Sequence, residues 1–228
     1  MANRHILAID NSTDFLNIAL SGPDGLVDER HIKESRSVSE ILPEKIEEIL
    51  SANGTSLRDV SELRVTLGPG SFTGIRVALS FCKGIRAATG IPVQGIPTLD
   101  ALAFTLIDKQ ETCLCPLIDA RRSEVFLALY HTTGKILSRQ TGFMAVKPEE
   151  IPAIIKTPCI CFGTGLRIAE EYLSSLDGVT IIRDTHDQIR AATLVDERID
   201  TILDKHLPLN PIYGRRSEAE IKFNVIID

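Results

Sequence analysis

The chain carries its own opening twice. A strand ending in Asp10, a polar turn, a second strand and a turn closing at Gly25 recur without gaps, so that Asp10 falls on Asp119, Ala19-Leu20 on Ala128-Leu129, Gly25 on Gly134 and Arg30 on Arg139. Further on, a buried strand over residues 63–67, the loop Gly68-Pro69-Gly70-Ser71-Phe72-Thr73-Gly74 and a long helix are echoed by Ile160-Cys161-Phe162, Gly163-Thr164-Gly165 and a helix through Tyr172. Shared element order with aligned turn residues is the mark of a duplicated unit. It restricts the chain to two lobes built on one plan. A length of 228 residues suits two modest cores, here divided as residues 1–107 and 108–228.

Each lobe is expected to open with a three-stranded antiparallel meander. Residues 6–9 form a buried strand stopped by Asp10-Asn11-Ser12-Thr13, whose short polar side chains favour a turn. Residues 16–20 form the second strand, and Gly22-Pro23-Asp24-Gly25 turns the chain into a third that runs through Arg30. From Ser37 the period becomes helical, with Ser37 and Glu40 spaced as a capping box, Leu42, Ile46, Ile49 and Leu50 on one stripe, and Asn53-Gly54 as the stop. A helix over 75–89, a short strand around Val93 and a helix over 98–107 complete the first lobe; a strand over 125–130 is expected in the second. Two such lobes of mixed sheet and helix describe an α/β, actin-like (ribonuclease H-like) duplicated fold, the architecture of actin, sugar kinases and acetate kinase. Fold by itself does not fix function.

Composition narrows the classes. Hydrophobic residues make up 43% and charged residues 25% of the chain, as in packed globular proteins. A formal charge of −6 opposes unaided binding to a phosphate backbone, so contact with nucleic acid is expected only through a partner. No apolar run approaches the ~20 residues that cross a bilayer, and no membrane partner is expected. Five cysteines, an odd number, fit a reducing compartment better than a secreted disulfide framework, and a cytoplasmic location is expected.

In the actin-like architecture the first hairpin and a glycine loop grip nucleotide phosphates, which makes Asp10, Ser12, Gly68, Gly70 and Ser71 candidates for ATP or ADP with Mg. Backbone N–H groups at glycine turns and helix N-termini attract anions. The same residues equally serve as a polar turn and as glycines for close helix–strand packing. The helix after the loop puts Ile75, Val77, Ala78, Leu79, Phe81, Cys82, Ile85, Ala87 and Ala88 on nearly every face. It is either covered on more than one side within its lobe or left with a partner surface. Cys113-Leu114-Cys115 and Cys159-Ile160-Cys161 sit in apolar strands, where cysteine behaves as a small hydrophobe, rather than in zinc knuckles. His5, His31, His131, His186 and His206 are scattered, and Ser71 has no histidine suggested nearby, so a hydrolase has little behind it.

Residues 6–13, 68–76, Lys83-Gly84, Gly90-Ile91-Pro92-Val93 with Thr98-Leu99-Asp100-Ala101-Leu102-Ala103, Asp119-Ala120-Arg121-Arg122 with Glu124-Val125, and the tail Pro211-Ile212-Tyr213-Gly214-Arg215-Arg216 with Ser217-Glu218-Ala219-Glu220 closely resemble the TsaB (YeaZ) family. The resemblance spans nearly the whole chain. It implies a non-catalytic relative of the transferase TsaD, paired with it through first-lobe helices, in a bacterial complex that installs threonylcarbamoyl on the adenosine beside the anticodon. It also implies the ATPase TsaE docked on that pair, tRNA reached only through the complex, no cofactor required by this chain, and a homodimer through the same surface when TsaD is absent. The transferase holds its metal through a His-x-x-x-His pair where this chain has Thr98 and Leu102, and leucine cannot ligate a metal. Many relatives have histidine where this chain has Val38. The implied partner surface comprises Ser39, Leu42, Pro43, Ile46, Thr73, Arg76, Val77, Ser80, Phe81 and Gly84. The rival expectations are a stand-alone small-molecule kinase or ATPase of the same fold, and a peptidase that lacks a nucleophile–base pair.

Overall fold

The computed structural model describes residues 5–33, 37–109, 111–183, 189–202, 204 and 206–215. His186, residues 1–4 and the tail from Arg216 onward lie outside the described residues.

Strands β1 (His5–Asp10), β2 (Leu16–Gly22) and β3 (Gly25–Ile32) form the expected antiparallel meander. After helix α1 (Val38–Ala52), β4 (Val60–Thr66) pairs in parallel with the far side of β1. Helix α2 (Phe72–Thr89) then leads to β5 (Val93–Ile96), parallel to β4, and to α3 (Thr98–Phe104). The sheet order is β3-β2-β1-β4-β5. β1 lies in the middle and is buried from Ile6 to Asp10, which is why its sequence is an unbroken apolar run rather than an alternation.

The second sheet repeats this wiring. The long β6 (Thr112–Arg121) pairs antiparallel with β7 (Glu124–Leu127) and in parallel with β11 (Cys159–Phe162), which pairs in parallel with β12 (Val179–Ile182). The strand expected over 125–130 is split. Leu129 donates to Thr141 Oγ1 and accepts from the Gln140 N–H, so the ladder breaks between β7 and β8 (Tyr130–Thr133). Each half takes its own third strand, β9 (Ile136–Arg139) beside β8 and β10 (Met144–Val146) beside β7. Short helices α4 (Ile151–Ile154), α5 (Leu166–Leu173) and α6 (Ala191–Val195) follow.

The pleat sorts the side chains into layers. Leu7, Ile9, Leu63 and Val65 face α1 and α2 in one cluster; Ile6 and Ala8 face the opposite way, into a central cluster with α3, α6 and the β6 residues Leu114, Ile118 and Ala120. Cys115, Leu117 and Cys161 face α4 and α5. The order is therefore helices, sheet, helices, sheet, helices. α6 packs on β1, β2 and β3 although it follows the second sheet in sequence. Arg64, almost wholly buried, anchors this return: it donates to the Leu194 carbonyl at 2.9 Å and pairs with Asp200 at 2.6 Å and Glu62 at 2.7 Å. A cut after residue 107 would strip α6 from the sheet it covers.

The capping box expected at Ser37 is replaced. Ser37 precedes α1 but its hydroxyl pairs with Ser39 Oγ at 2.7 Å, and no side chain caps that helix start. α2 is capped by Ser71 at its N-terminus and by left-handed Gly90 (φ 79°) at its end. No helix among the described residues is long and apolar enough to cross a membrane.

Candidate functional site

Two concave features lie on the first-lobe helices. The larger is a cleft of about 650 Å³ between the lobes, walled by the first hairpin turn (12–15), the start of α2 (70–73), the β6–β7 hairpin and the second glycine loop at Gly163-Thr164. The smaller is a groove of about 380 Å³ on the outer surface, between α1 and α2.

Asp10 lies beneath the cleft and is 0% exposed. Its carboxylate accepts from the Ser12 N–H at 3.1 Å, Ser12 Oγ at 2.5 Å, Asn17 Nδ2 at 2.9 Å and Thr66 Oγ1 at 2.7 Å. Burial raises its pKa above the ordinary carboxylate value, against the opposing pull of these donors from Ser12, Thr66 and Asn17. The residue types that suggested a magnesium-bearing carboxylate build a closed polar knot that holds the turn together. Ser12, whose hydroxyl is given to Asp10, is buried too.

The glycine loop is fitted against the same turn. A Cβ on Gly70 would overlap the Ser12 carbonyl oxygen, and one on Gly74 would overlap that of Asn11. The Ser71 N–H donates to the Ser12 carbonyl at 2.7 Å, and Ser71 Oγ accepts from the Gly74 N–H at 3.3 Å. Gly68 is pressed by the C-terminal segment, where the Ile212 N–H donates to the Leu67 carbonyl at 2.7 Å. These glycines therefore allow close approach of three backbone segments.

The other wall is charged. Asp119 accepts from the Arg121 N–H at 2.7 Å and pairs with Arg167; Arg183 pairs with Glu170. Arg121 crosses to Asp14 of the first hairpin at 2.6 Å. Arg121, Arg122 and Ser123 are consecutive left-handed residues (φ 63°, 55° and 60°), a turn that L-residues adopt at a cost of about 1–2 kcal/mol each. Among the described residues no group of three or more His, Cys, Asp or Glu side chains is disposed to hold a metal ion. Thr98 and Leu102 are buried in the central cluster and first-lobe interior, on α3.

The groove gathers six of the ten expected partner-surface residues: Ser39, Leu42, Arg76, Val77, Ser80 and Phe81. They divide by depth. Leu42 and Ile46 are 1% and 5% exposed and belong to the protein's own core with Ile75, Ala78, Leu79 and Cys82. Val77 and Phe81 are half-buried, while Ser39, Pro43, Thr73, Arg76, Ser80 and Gly84 are exposed. The apolar content of α2 is thus mostly internal, and the outward face is a narrow apolar strip between polar borders. At one end stands a cluster that the residue pattern did not suggest. Phe72, 47% exposed, stacks on Tyr213 at 4.8 Å, with the Arg76 guanidinium 3.8 Å from the Phe72 ring centre and Arg76 Nε donating to Tyr213 Oη at 2.8 Å. The sequence signal was the apolar trio Leu207, Leu209 and Ile212 in a polar stretch, which packs on the first-lobe core and brings Tyr213 to α2.

Comparison with known proteins adds an independent line. The family model described as TsaD, tRNA N6-adenosine threonylcarbamoyltransferase, matches residues 32–158. The tRNA threonylcarbamoyladenosine biosynthesis protein TsaB of Escherichia coli is 29% identical over 94% of this chain and 96% of that protein. An uncharacterized Mycobacterium tuberculosis protein, Rv3421c, is 32% identical over 94% of this chain and 93% of its own length. YeaZ from Pseudomonas aeruginosa superposes with a TM-score of 0.74 at 21% identity, covering 92% of this chain and 99% of that one, which establishes the duplicated actin-like fold. The chain belongs to the family that the matching model describes and, within it, to the TsaB (YeaZ) branch.

Proposed function

We propose that this protein acts in tRNA threonylcarbamoyladenosine biosynthesis as a non-catalytic subunit, docking the transferase TsaD in the groove between α1 and α2. The observation that carries the reading is that groove. Val77 and Phe81 line it half-buried, with Ser39, Arg76 and Ser80 at its edges. An apolar strip bordered by polar groups is the arrangement of an interface core and rim. Arg76 reinforces it, because Tyr213 and Phe72 hold its guanidinium in place and reduce the entropy a partner would have to remove. The knot around Asp10 fits this reading, because its carboxylate is buried and engaged by Ser12, Asn17 and Thr66 in holding the turn. In this reading TsaE joins the pair and tRNA is met only through the assembly, consistent with a net charge of −6. Without TsaD the same face closes on a second copy as a two-fold homodimer.

The test is co-elution with TsaD on a sizing column. Phe81→Glu places a charge in the strip and is expected to weaken association by about 100-fold or more, with the chain still cooperatively folded. Undiminished co-elution would remove the groove from the interface. Calorimetry with Mg-ATP on the purified chain addresses the stand-alone kinase or ATPase: tight binding with turnover would overturn the non-catalytic assignment.

A further inference from the structure

The cysteines of the second sheet are placed by register rather than by chance proximity. β6 and β11 run in parallel with Cys159 opposite Cys113 and Cys161 opposite Cys115. The first pair brings its Sγ atoms to 3.2 Å. Paired strands lie about 4.8 Å apart, inside the Cα separation of about 4.4–6.8 Å that a disulfide spans. All five cysteines are free thiols. The four differ in access: Cys115, Cys161 and Cys159 are buried against α4 and α5, whereas Cys113 is half-buried near the start of β6. Cys82 is isolated in the first-lobe core, where burial pushes its thiol up to about 12.

We propose that Cys113 and Cys159 are a reversible cross-strand dithiol–disulfide couple, oxidised by a low-molecular-weight disulfide of the glutathione class. The step balances within those reactants. Cys113, the more accessible sulfur, loses its proton to solvent and attacks one sulfur of the small disulfide, releasing one small thiol and leaving a mixed disulfide on Cys113. Cys159 then loses its proton and attacks the Cys113 sulfur, forming the cross-strand S–S bond and expelling the second small thiol. Two protein S–H bonds are lost, one S–S bond is gained, and the oxidant is reduced to two thiols. The neighbouring Cys159 thiol and partial burial hold the Cys113 thiol well above its ordinary pKa, so the attacking thiolate is a minor species and the exchange is slow, quickening as pH rises.

The experiment is incubation of the folded chain with oxidised glutathione, acid quench, alkylation and peptide mass spectrometry. The expected wild-type product has lost two hydrogens, retains three alkylatable thiols and yields a Cys113–Cys159 linked peptide; dithiothreitol reverses it. Cys82→Ser leaves that outcome unchanged. Cys159→Ser removes the resolving sulfur and accumulates a glutathione adduct on Cys113, a product that a merely structural role for Cys159 would not give. The proposal is overturned if wild type keeps all five thiols under oxidant that modifies the denatured chain, if a stable adduct on Cys113 is its end product, or if the link joins Cys115 to Cys161. Should Cys159→Ser fold poorly, Cys113→Ser carries the same decision, since loss of the linked product is then expected without any adduct.

Discussion

The two hairpins that face each other across the cleft descend from one pattern, yet their aspartates have opposite fates. Asp10 is sealed under the first hairpin with four donors from Ser12, Asn17 and Thr66. Asp119, its sequence counterpart, stands at the cleft wall and pairs with Arg167. The glycine loops, by contrast, each still press closely on the opening segment of their own lobe. Gly70 abuts the Ser12 carbonyl and Gly163 abuts the Leu117 carbonyl, each at a left-handed or near-left-handed φ. Duplication has thus kept a tight glycine-to-backbone approach in each lobe, at the turn (Ser12) in the first and on the strand (Leu117, which aligns with Ala8) in the second, while the side chains nearby diverge. A shared pattern in sequence reports a shared fold more securely than a shared chemistry.

The largest effects are expected where the two lobes agree. Gly70→Ala and Gly163→Ala each force a Cβ into a carbonyl oxygen and should each lower stability by about 3 kcal/mol, measured by urea denaturation. Gly134→Ala, also left-handed but in open space, should cost only about 1 kcal/mol. If Gly163→Ala behaves like Gly134→Ala, the two loops are not equivalent. Where the lobes differ, the outcome should differ. Asp10→Ala strands the buried donors of Ser12, Asn17 and Thr66 and should cost about 3 kcal/mol, whereas Asp119→Ala removes a partly exposed ion pair and should cost under about 1 kcal/mol. Equal losses would mean that Asp119 is as structural as Asp10.

The same contrast shows what the sequence could reveal. Turn residues at aligned positions exposed the duplication because Gly25 and Gly134 are needed for left-handed backbone (φ 107° and 62°) whatever the side chains around them do. The role of Asp10 was not legible, since Asp-Asn-Ser-Thr is equally a phosphate-facing loop and a self-satisfied turn until the partners of each oxygen are known. The stripe Leu42–Ile46 announced α1 but not which side of it stayed open; it proved to be the core side, and the open strip is written largely on the neighbouring α2, in Arg76, Ser80 and Phe81, where polar and apolar residues mix. The return of α6 to the first sheet was hidden because five residues, Ala191–Val195, are too short to show a period. The break at Ala128-Leu129 was hidden because the diversion of Leu129 depends on Gln140 and Thr141, distant in sequence.

A smaller effect separates the aspartates by pH. Burial raises the pKa of Asp10 in the folded chain above its unfolded value, so between those two values the folded state binds more protons than the unfolded one. Stability then falls as pH rises through that window. Relative to Asp10→Asn, which cannot titrate, wild type should lose stability from about pH 4 upward, read as the difference between the two denaturation midpoints across a pH series. A difference that grows in favour of wild type as pH rises would mean that the donors, and not burial, govern Asp10.

The least effect is expected at the bridge that joins the hairpins. Arg121 and Asp14 meet at 2.6 Å, but both side chains are about two-thirds exposed, at 66% and 64%, and such a pair is screened by salt and resisted by side-chain entropy. Other contacts hold the lobes together: α6 on the first sheet with Arg64 beneath it, and the C-terminal segment, where Arg215 pairs with Glu124 of the second lobe at 3.0 Å while Ile212 bonds to Leu67 of the first. A double-mutant cycle on Arg121→Ala and Asp14→Ala should therefore give a coupling below about 0.5 kcal/mol at physiological salt. Each single variant should also leave the melting profile a single transition, because the buried return of α6 survives both changes. A coupling several times larger, or a profile that separates into two transitions, would show that the lobes are latched at the cleft mouth, and the cleft would then have to be treated as a closed compartment rather than an open seam.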